Sequence, residues 1–153
     1  MNTPRVLVVD DEEELRVSVT KVLRRAGYEV ESAGDGAAAM ALVRQSPFQL
    51  LVTDFRLPDL DGLELMRQVR AAVPECEVLV MTAYANIPLA VEAMREGAWD
   101  FLAKPFKKAE LEHAVARALE KQALAAENRR LRLALADRAR GTGARVIGQS
   151  EAI

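Results

Sequence analysis

At 153 residues, half of them hydrophobic, the chain can bury one full-sized core, with little left for a second. A formal net charge of −2 marks out neither a nucleic-acid surface nor an anionic-membrane surface, and no apolar run approaches bilayer-spanning length. The sequence therefore reads as a cytoplasmic protein with no direct nucleic-acid or membrane contact.

In chain order, Arg5 to Val9 predicts a short strand that runs into the acids Asp10 to Glu14. Leu15, Val19, Val22, Leu23 and Ala26 recur at helical spacing, and Gly27 is placed to end that helix. Tyr28 to Ala33 predicts a second strand. A helix with Ala38, Met40, Ala41 and Leu42 follows, entered through Asp35-Gly36 and stopped by Pro47. The apolar run from Gln49 to Thr53 is too short for a helix and stops at a single carboxylate, Asp54. The Pro, Asp and Gly of Leu57 to Gly62 form a loop into a third helix, with Leu63, Met66, Val69 and Val73 on one side and Pro74 at its end. Glu77 to Met81 is a fourth strand, closing on Thr82-Ala83. Asn86 and Pro88 open a helix through Met94, with Gly97 past its end. Trp99 to Ala103 is a fifth strand delivering Lys104-Pro105, and a helix from near Lys107 carries Leu111, Val115 and Leu119 on one stripe. The single cysteine, Cys76, excludes an internal disulfide and reads as an inert thiol beside a strand; the single histidine, His113, reads as solvated or capping.

Strict alternation of strand and helix predicts an α/β fold: a doubly wound, five-stranded parallel sheet of order 2-1-3-4-5 with an extended carboxy-terminal helix. In that order the carboxyl ends of all strands share one rim, where open α/β sheets bind ligands. The polar residues predicted there are Asp10, Asp11, Asp54, Thr82 and Lys104. Three carboxylates gathered within a few ångströms repel one another unless a cation neutralises them, and an all-oxygen ligand set with retained waters suits Mg²⁺. Asp10, Asp11 and Asp54 are its expected side-chain ligands, with the backbone carbonyl of Arg56 completing the protein's share. Lys104 offers a fixed ammonium for a phosphate oxygen, Thr82 a hydroxyl, and Ala83 an open approach. A carboxylate so placed is equipped to attack phosphorus, which makes Asp54 the expected phospho-acceptor.

Val9-Asp10-Asp11-Glu12, Thr53 to Gly62, Met81-Thr82-Ala83 and Asp100 to Phe106 closely resemble the receiver domains of two-component response regulators, over about the first four-fifths of the chain. The resemblance implies a sensor histidine kinase as phosphoryl donor, a regulatory phospho-acceptor rather than an enzyme acting on other substrates, and a switch pair, Thr82 and Phe101. Phe101 stands where the family has Phe or Tyr and brings no hydroxyl. The family also implies a cis bond at Lys104-Pro105. Two negative charges added at Asp54 would be felt by Thr82 and Lys104 and read out on the face of the fourth helix, fifth strand and fifth helix. Arg56 and Tyr84 are expected to control water access to the site.

From Glu110 to about Arg138 there is no Pro or Gly, so the last helix is expected to run on without a break. Leu124, Asn128, Leu131 and Leu135 alternate steps of four and three, the spacing of a coiled-coil seam, and Asn128 at an a-type position favours a parallel, in-register homodimer. Asp137 to Gly143 reads as the helix end and a flexible joint. Val146 to Ile153 resembles the opening of the AAA+ ATPase domain of σ54-dependent activators, and within that group the chain is most similar to the regulators of nitrogen and C4-dicarboxylate transport type. The expected organisation is thus a receiver over residues 1–121, a helical dimerisation linker over 122–140, and a joint with the start of an ATPase domain over 141–153. Any σ54 polymerase contact would go through domains beyond these residues, and without a Gly-x-x-x-x-Gly-Lys sequence no ATP hydrolysis is expected.

Two other classes share parts of this pattern. A flavodoxin-like nucleotide binder would have the same fold, but its first loop should offer Gly, Ser or Thr to phosphate, where this chain has Asp10 to Glu14. An aspartate-nucleophile phosphatase places its nucleophile on the first strand in an Asp-x-Asp pattern, which is absent.

Overall fold

The computed structural model describes residues 3–83 and 87–142. Strands β1 (Arg5–Val9), β2 (Glu29–Ala33), β3 (Leu50–Asp54), β4 (Glu77–Ala83) and β5 (Asp100–Lys104) alternate with helices α1 (Glu13–Arg25), α2 (Gly36–Gln45), α3 (Gly62–Ala72), α4 (Ile87–Arg95) and α5 (Lys108–Thr142). The sheet is parallel throughout, in the order β2-β1-β3-β4-β5 expected from the alternation. Its pairing runs to the last residue of each strand at the rim: Val9 lies opposite Thr53, Asp54 opposite Met81, and Ala83 opposite Lys104.

The period-2 geometry of the strands divides the core in two. Leu7, Val9, Leu51, Val78 and Val80 face Ala39, Met40 and Val43 of α2, Leu65, Met66 and Val69 of α3, and Ala93 of α4. Val6, Val8, Leu50, Val52, Leu79 and Met81 face Val19 and Leu23 of α1 and Leu111, Val115 and Ala118 of α5. Both faces are covered, which is why β1, β3 and β4 read as continuous apolar runs, whereas edge strand β2 exposes Glu29, Glu31 and Ser32. Each fully buried Leu or Val contributes roughly 1.5–3 kcal/mol relative to exposure, so this double layer is what fixes the rim.

Helix entries and exits follow local chemistry. Asp35 and Asp61 cap α2 and α3 by accepting from the backbone N–H groups of Ala38 and Glu64, each at 2.8 Å. Gly27 ends α1 at φ 104°, and Gly97 follows α4 at φ 118°, both in the left-handed region that other residues avoid. Some boundaries differ from those read in sequence. β4 continues to Ala83 because Thr82 and Ala83 pair with Ala103 and Lys104. Tyr28 belongs to the α1 exit, donating its N–H to Leu23, and Trp99 precedes β5, donating to Val78. On α2 the buried stripe is Gly36, Ala39, Met40 and Val43, while Ala38 and Ala41 face solvent.

The chain divides into two units, Met1–Gln122 and Ala123–Ile153. In the second, α5 continues past Arg138 to Thr142, so the helix end expected at Asp137 to Gly143 falls at the far side of that stretch. A single Gly costs a helix only about 1 kcal/mol, too little for Gly141 to stop it. The resemblance over Val146 to Ile153 falls on residues outside those described. No helix among the described residues is long and apolar enough to cross a membrane.

Candidate functional site

The rim is built by strands that stop where their pairing stops. β1 ends at Val9, and Asp10, fully buried, is held at every polar atom. Its N–H donates to Ala33 O at 3.1 Å, Arg16 Nη1 donates to its carbonyl at 2.8 Å, Oδ1 accepts from Glu12 N at 2.9 Å, and Oδ2 accepts from Lys104 Nζ at 3.0 Å. Asp11, one residue on, is exposed at a bend. Asp54 closes β3, half-buried, with Oδ1 accepting from Phe55 N at 2.9 Å. Asp10, Asp11 and Asp54 each bring one carboxylate oxygen into a cluster whose members all lie within 4.8 Å of one another.

Lys104, at the end of β5, reaches across this cluster to Asp10 and, at 3.4 Å, to Asp54 Oδ1. The next peptide, Lys104-Pro105, is cis. Burial raises the Asp54 carboxyl above the usual carboxylate range; Lys104 opposes that shift and Asp10 adds to it. Burial also works to lower the Lys104 ammonium, but its hydrogen bond to Asp10 and the charges of Asp54 and Asp10 outweigh it, and the net shift is upward. Three carboxylates against one ammonium leave a formal excess of two negative charges in the cluster. That balance and the all-oxygen donor set fit one hard divalent cation.

The loop after β3 is pinned from two directions. Gly62 N donates to Phe55 O at 2.6 Å, bringing the first turn of α3 against the end of β3, and Arg56 bridges Asp61 across the loop. Asp59, exposed at the loop tip, accepts from Gly36 N and Ala37 N, each at 2.9 Å, and so ties the loop to the first turn of α2. The hydrogen bond from Gly36, more than any other influence, holds the Asp59 carboxyl below its ordinary range.

Of the residues singled out in sequence, Asp10, Asp11, Asp54 and Lys104 therefore come together directly. Thr82 is fully buried at the same end of β4, its hydroxyl donating to Ala83 O at 3.2 Å. Phe101 is half-buried against the core layer of α2, α3 and α4. Arg56 is exposed on the loop after β3. Tyr84 lies outside the described residues. His113 is exposed in the second turn of α5, past its cap, and Cys76 is buried, its thiol pushed up to about 12 by that burial. Leu124, Asn128, Leu131 and Leu135 are all exposed, the leucines by 54–68%. Arg16, the reach of Asp59 to α2 and the closeness of Gly62 to β3 carry no local signal in the sequence, because each acts on a partner that local pattern does not bring near.

Residues 6–116 match the response regulator receiver domain. The chain belongs to that family. Among curated proteins it is 41% identical over 146 residues to the C4-dicarboxylate transport transcriptional regulatory protein DctD of Pseudomonas aeruginosa, covering 95% of this chain and 31% of that protein. It is 37% identical over 131 residues to the regulatory protein AtoC of Escherichia coli, covering 86% of this chain and 28% of AtoC. Among solved structures, NtrX from Brucella abortus superposes with a TM-score of 0.81 at 34% identity, covering 99% of this chain and 32% of NtrX. A receiver domain protein from Clostridium thermocellum superposes at 0.74 with 26% identity, covering 79% of this chain and 98% of that one. The chain thus spans about a third of the length of the curated relatives it matches.

Proposed function

We propose that this receiver accepts a phosphoryl group on Asp54 from the phosphohistidine of a partner sensor kinase, with Mg²⁺ held by Asp10, Asp11, Asp54 and the Arg56 carbonyl. The observation that carries the reading is the three-carboxylate cluster with Lys104 bridging Asp10 and Asp54. An Asp54 oxygen forms the new bond to phosphorus as the bond to the donor's imidazole nitrogen breaks, and the electron pair leaves with the imidazole. Bound Mg²⁺ supplies electrostatic neutralisation of the phosphoryl oxygens. Lys104 exchanges part of its bond to Asp54 for one to a phosphoryl oxygen, and Thr82 turns its hydroxyl from Ala83 O onto another. Phe101 follows into the space that Thr82 vacates. The change is read on α4, β5 and α5, while Arg56 and Tyr84 limit the water that would hydrolyse the acyl phosphate. The protein is thus a regulatory acceptor in the cytoplasm, catalysing only its own modification and its reversal.

Incubation with acetyl phosphate and Mg²⁺ is expected to place one phosphoryl group per chain on Asp54, seen by intact mass and peptide mapping. Chelating the metal abolishes it, and Asp54→Asn takes up none. Undiminished uptake by that variant would sink the reading, and rapid multiple turnover of the donor would favour a phosphatase instead.

The same proposal takes residues 1–121 as the receiver, 122–140 as a linker that pairs with a second copy, and 141–153 as a joint leading into an AAA+ ATPase that acts on σ54 polymerase. It is supported by the exposed leucines at coiled-coil spacing and by Asn128 among them. The seam is short, so the dimer is expected to be weak in this chain alone. Sedimentation should show a concentration-dependent dimer that shifts when beryllofluoride is added, and Leu124→Asp with Leu131→Asp should leave only monomer at every concentration tested. A double variant that still dimerises places the contact elsewhere.

A further inference from the structure

We infer that Arg16 is a positioning residue for the metal site, holding the peptide that sets the Asp11 carboxylate against that of Asp10. The inference rests on the proposed Mg²⁺ site and deepens it. Successive side chains of an extended chain point to opposite faces, so two adjacent aspartates can serve one cluster only if the chain turns between them. It does: pairing ends at Val9, and Asp11 sits at a bend. The turn takes the Asp10 carbonyl out of the strand ladder at a residue with no exposure, where a lone acceptor is costly.

Arg16 meets that need from α1. Its Nη1 donates to the Asp10 carbonyl at 2.8 Å, a charge-assisted bond with the directionality of the planar guanidinium. The path is kept open by Gly34, where a Cβ would stand 3.2 Å from Nη1. Arg16 N–H in turn donates to Glu12 O at 3.0 Å, and Glu12 N–H to Asp10 Oδ1 at 2.9 Å, closing a loop of bonds round the Asp10-Asp11 step. Arg16 is not a ligand. It acts through the peptide, as outer partners of metal ligands commonly do.

The charge of Arg16 works the other way, since a cation near the cluster repels Mg²⁺. The two roles therefore predict opposite signs. Calorimetric titration of the metal-free chain with Mg²⁺ is expected to show Arg16→Ala binding about tenfold more weakly than wild type. In an Asp11→Ala background the same replacement should change affinity less than about twofold, because the ligand that Arg16 positions is already gone. Arg16→Lys keeps the charge and one donor and should fall between; it also serves if the alanine variant fails to fold, as judged by urea denaturation. Equal or tighter Mg²⁺ binding by Arg16→Ala, or an undiminished effect in the Asp11→Ala background, overturns the inference. A wild-type chain that takes up no Mg²⁺ overturns the proposed function and this inference with it.

Discussion

Gly62→Ala is expected to cost about 2 kcal/mol of stability and to slow phosphorylation of Asp54 by acetyl phosphate roughly a hundredfold. A Cβ at this position would stand 2.8 Å from the Asp54 carbonyl oxygen and 3.1 Å from Phe55 Cα. Both are main-chain atoms of the strand end that bears the acceptor, and neither can swing aside. The first turn of α3 would have to back away, stretching the 2.6 Å bond from Gly62 N to Phe55 O and shifting the Arg56 carbonyl that follows. A displacement of about 1 Å suffices to spoil in-line attack.

Gly36→Ala makes the comparison sharp. There a Cβ would meet Leu60 Cδ2 and Cγ, each at 2.7 Å, nominally as close, but the obstacle is a half-buried leucine side chain that can change its χ1 rotamer. Alanine also gains helix propensity at the start of α2. Gly36→Ala should therefore cost less than about 1 kcal/mol and leave acetyl phosphate labelling within about twofold of wild type. Urea midpoints and labelling rates for the two variants test the contrast. If Gly36→Ala proves the more damaging, the account of how α3 sets the acceptor fails.

What the sequence discloses and what it hides divide along a physical line. Asp54 and Lys104 are legible because each ends an apolar run, and in a parallel sheet the ends of the runs share one rim. Asp10 and Asp11 are legible as acids that would repel a bare anion. Gly27 and Gly97 are legible because a helix exit in the left-handed region names its own residue. Arg16, Asp59 and Glu77 are not, since their meaning lies in a partner: Asp59 reaches the start of α2, 22 and 23 residues back, and Glu77 meets a lysine 44 residues on. The leucines of α5 lie between these cases. Their spacing is a local fact, whereas what they pack against is not.

Glu77 supports the last prediction, because it and Asp10 are the buried charged side chains among the described residues and lie at opposite ends of the sheet. At sequence level it is only the first residue of a strand. In the structure its carboxylate takes Lys121 Nζ of α5 at 2.7 Å and Arg70 Nη2 of α3 at 3.4 Å. Arg70 also donates Nε to Cys76 O, and Lys121 lies 5.4 Å from the Trp99 ring centroid. Helices from the two opposite layers are thus tied to the start of β4 through one carboxylate.

The cost of breaking this node depends on which partner goes. Lys121 is 48% exposed and Arg70 29%, so either can rehydrate, whereas Glu77, at 7%, cannot. Removing Glu77 frees two solvated cations; removing both cations strands a buried anion. Lys121→Met alone should cost about 1 kcal/mol, since Arg70 remains. Arg70→Met with Lys121→Met should cost about 3–5 kcal/mol, the range for an uncompensated buried charge. Adding Glu77→Gln to that double variant should recover about half of the loss by removing the charge itself. Urea unfolding of these proteins together with Arg70→Met alone closes the cycle. Additive losses for Lys121 and Arg70, or no recovery from Glu77→Gln, would mean that the node contributes packing rather than charge compensation, and that α5 is seated on the sheet by Leu111, Val115 and Ala118 alone.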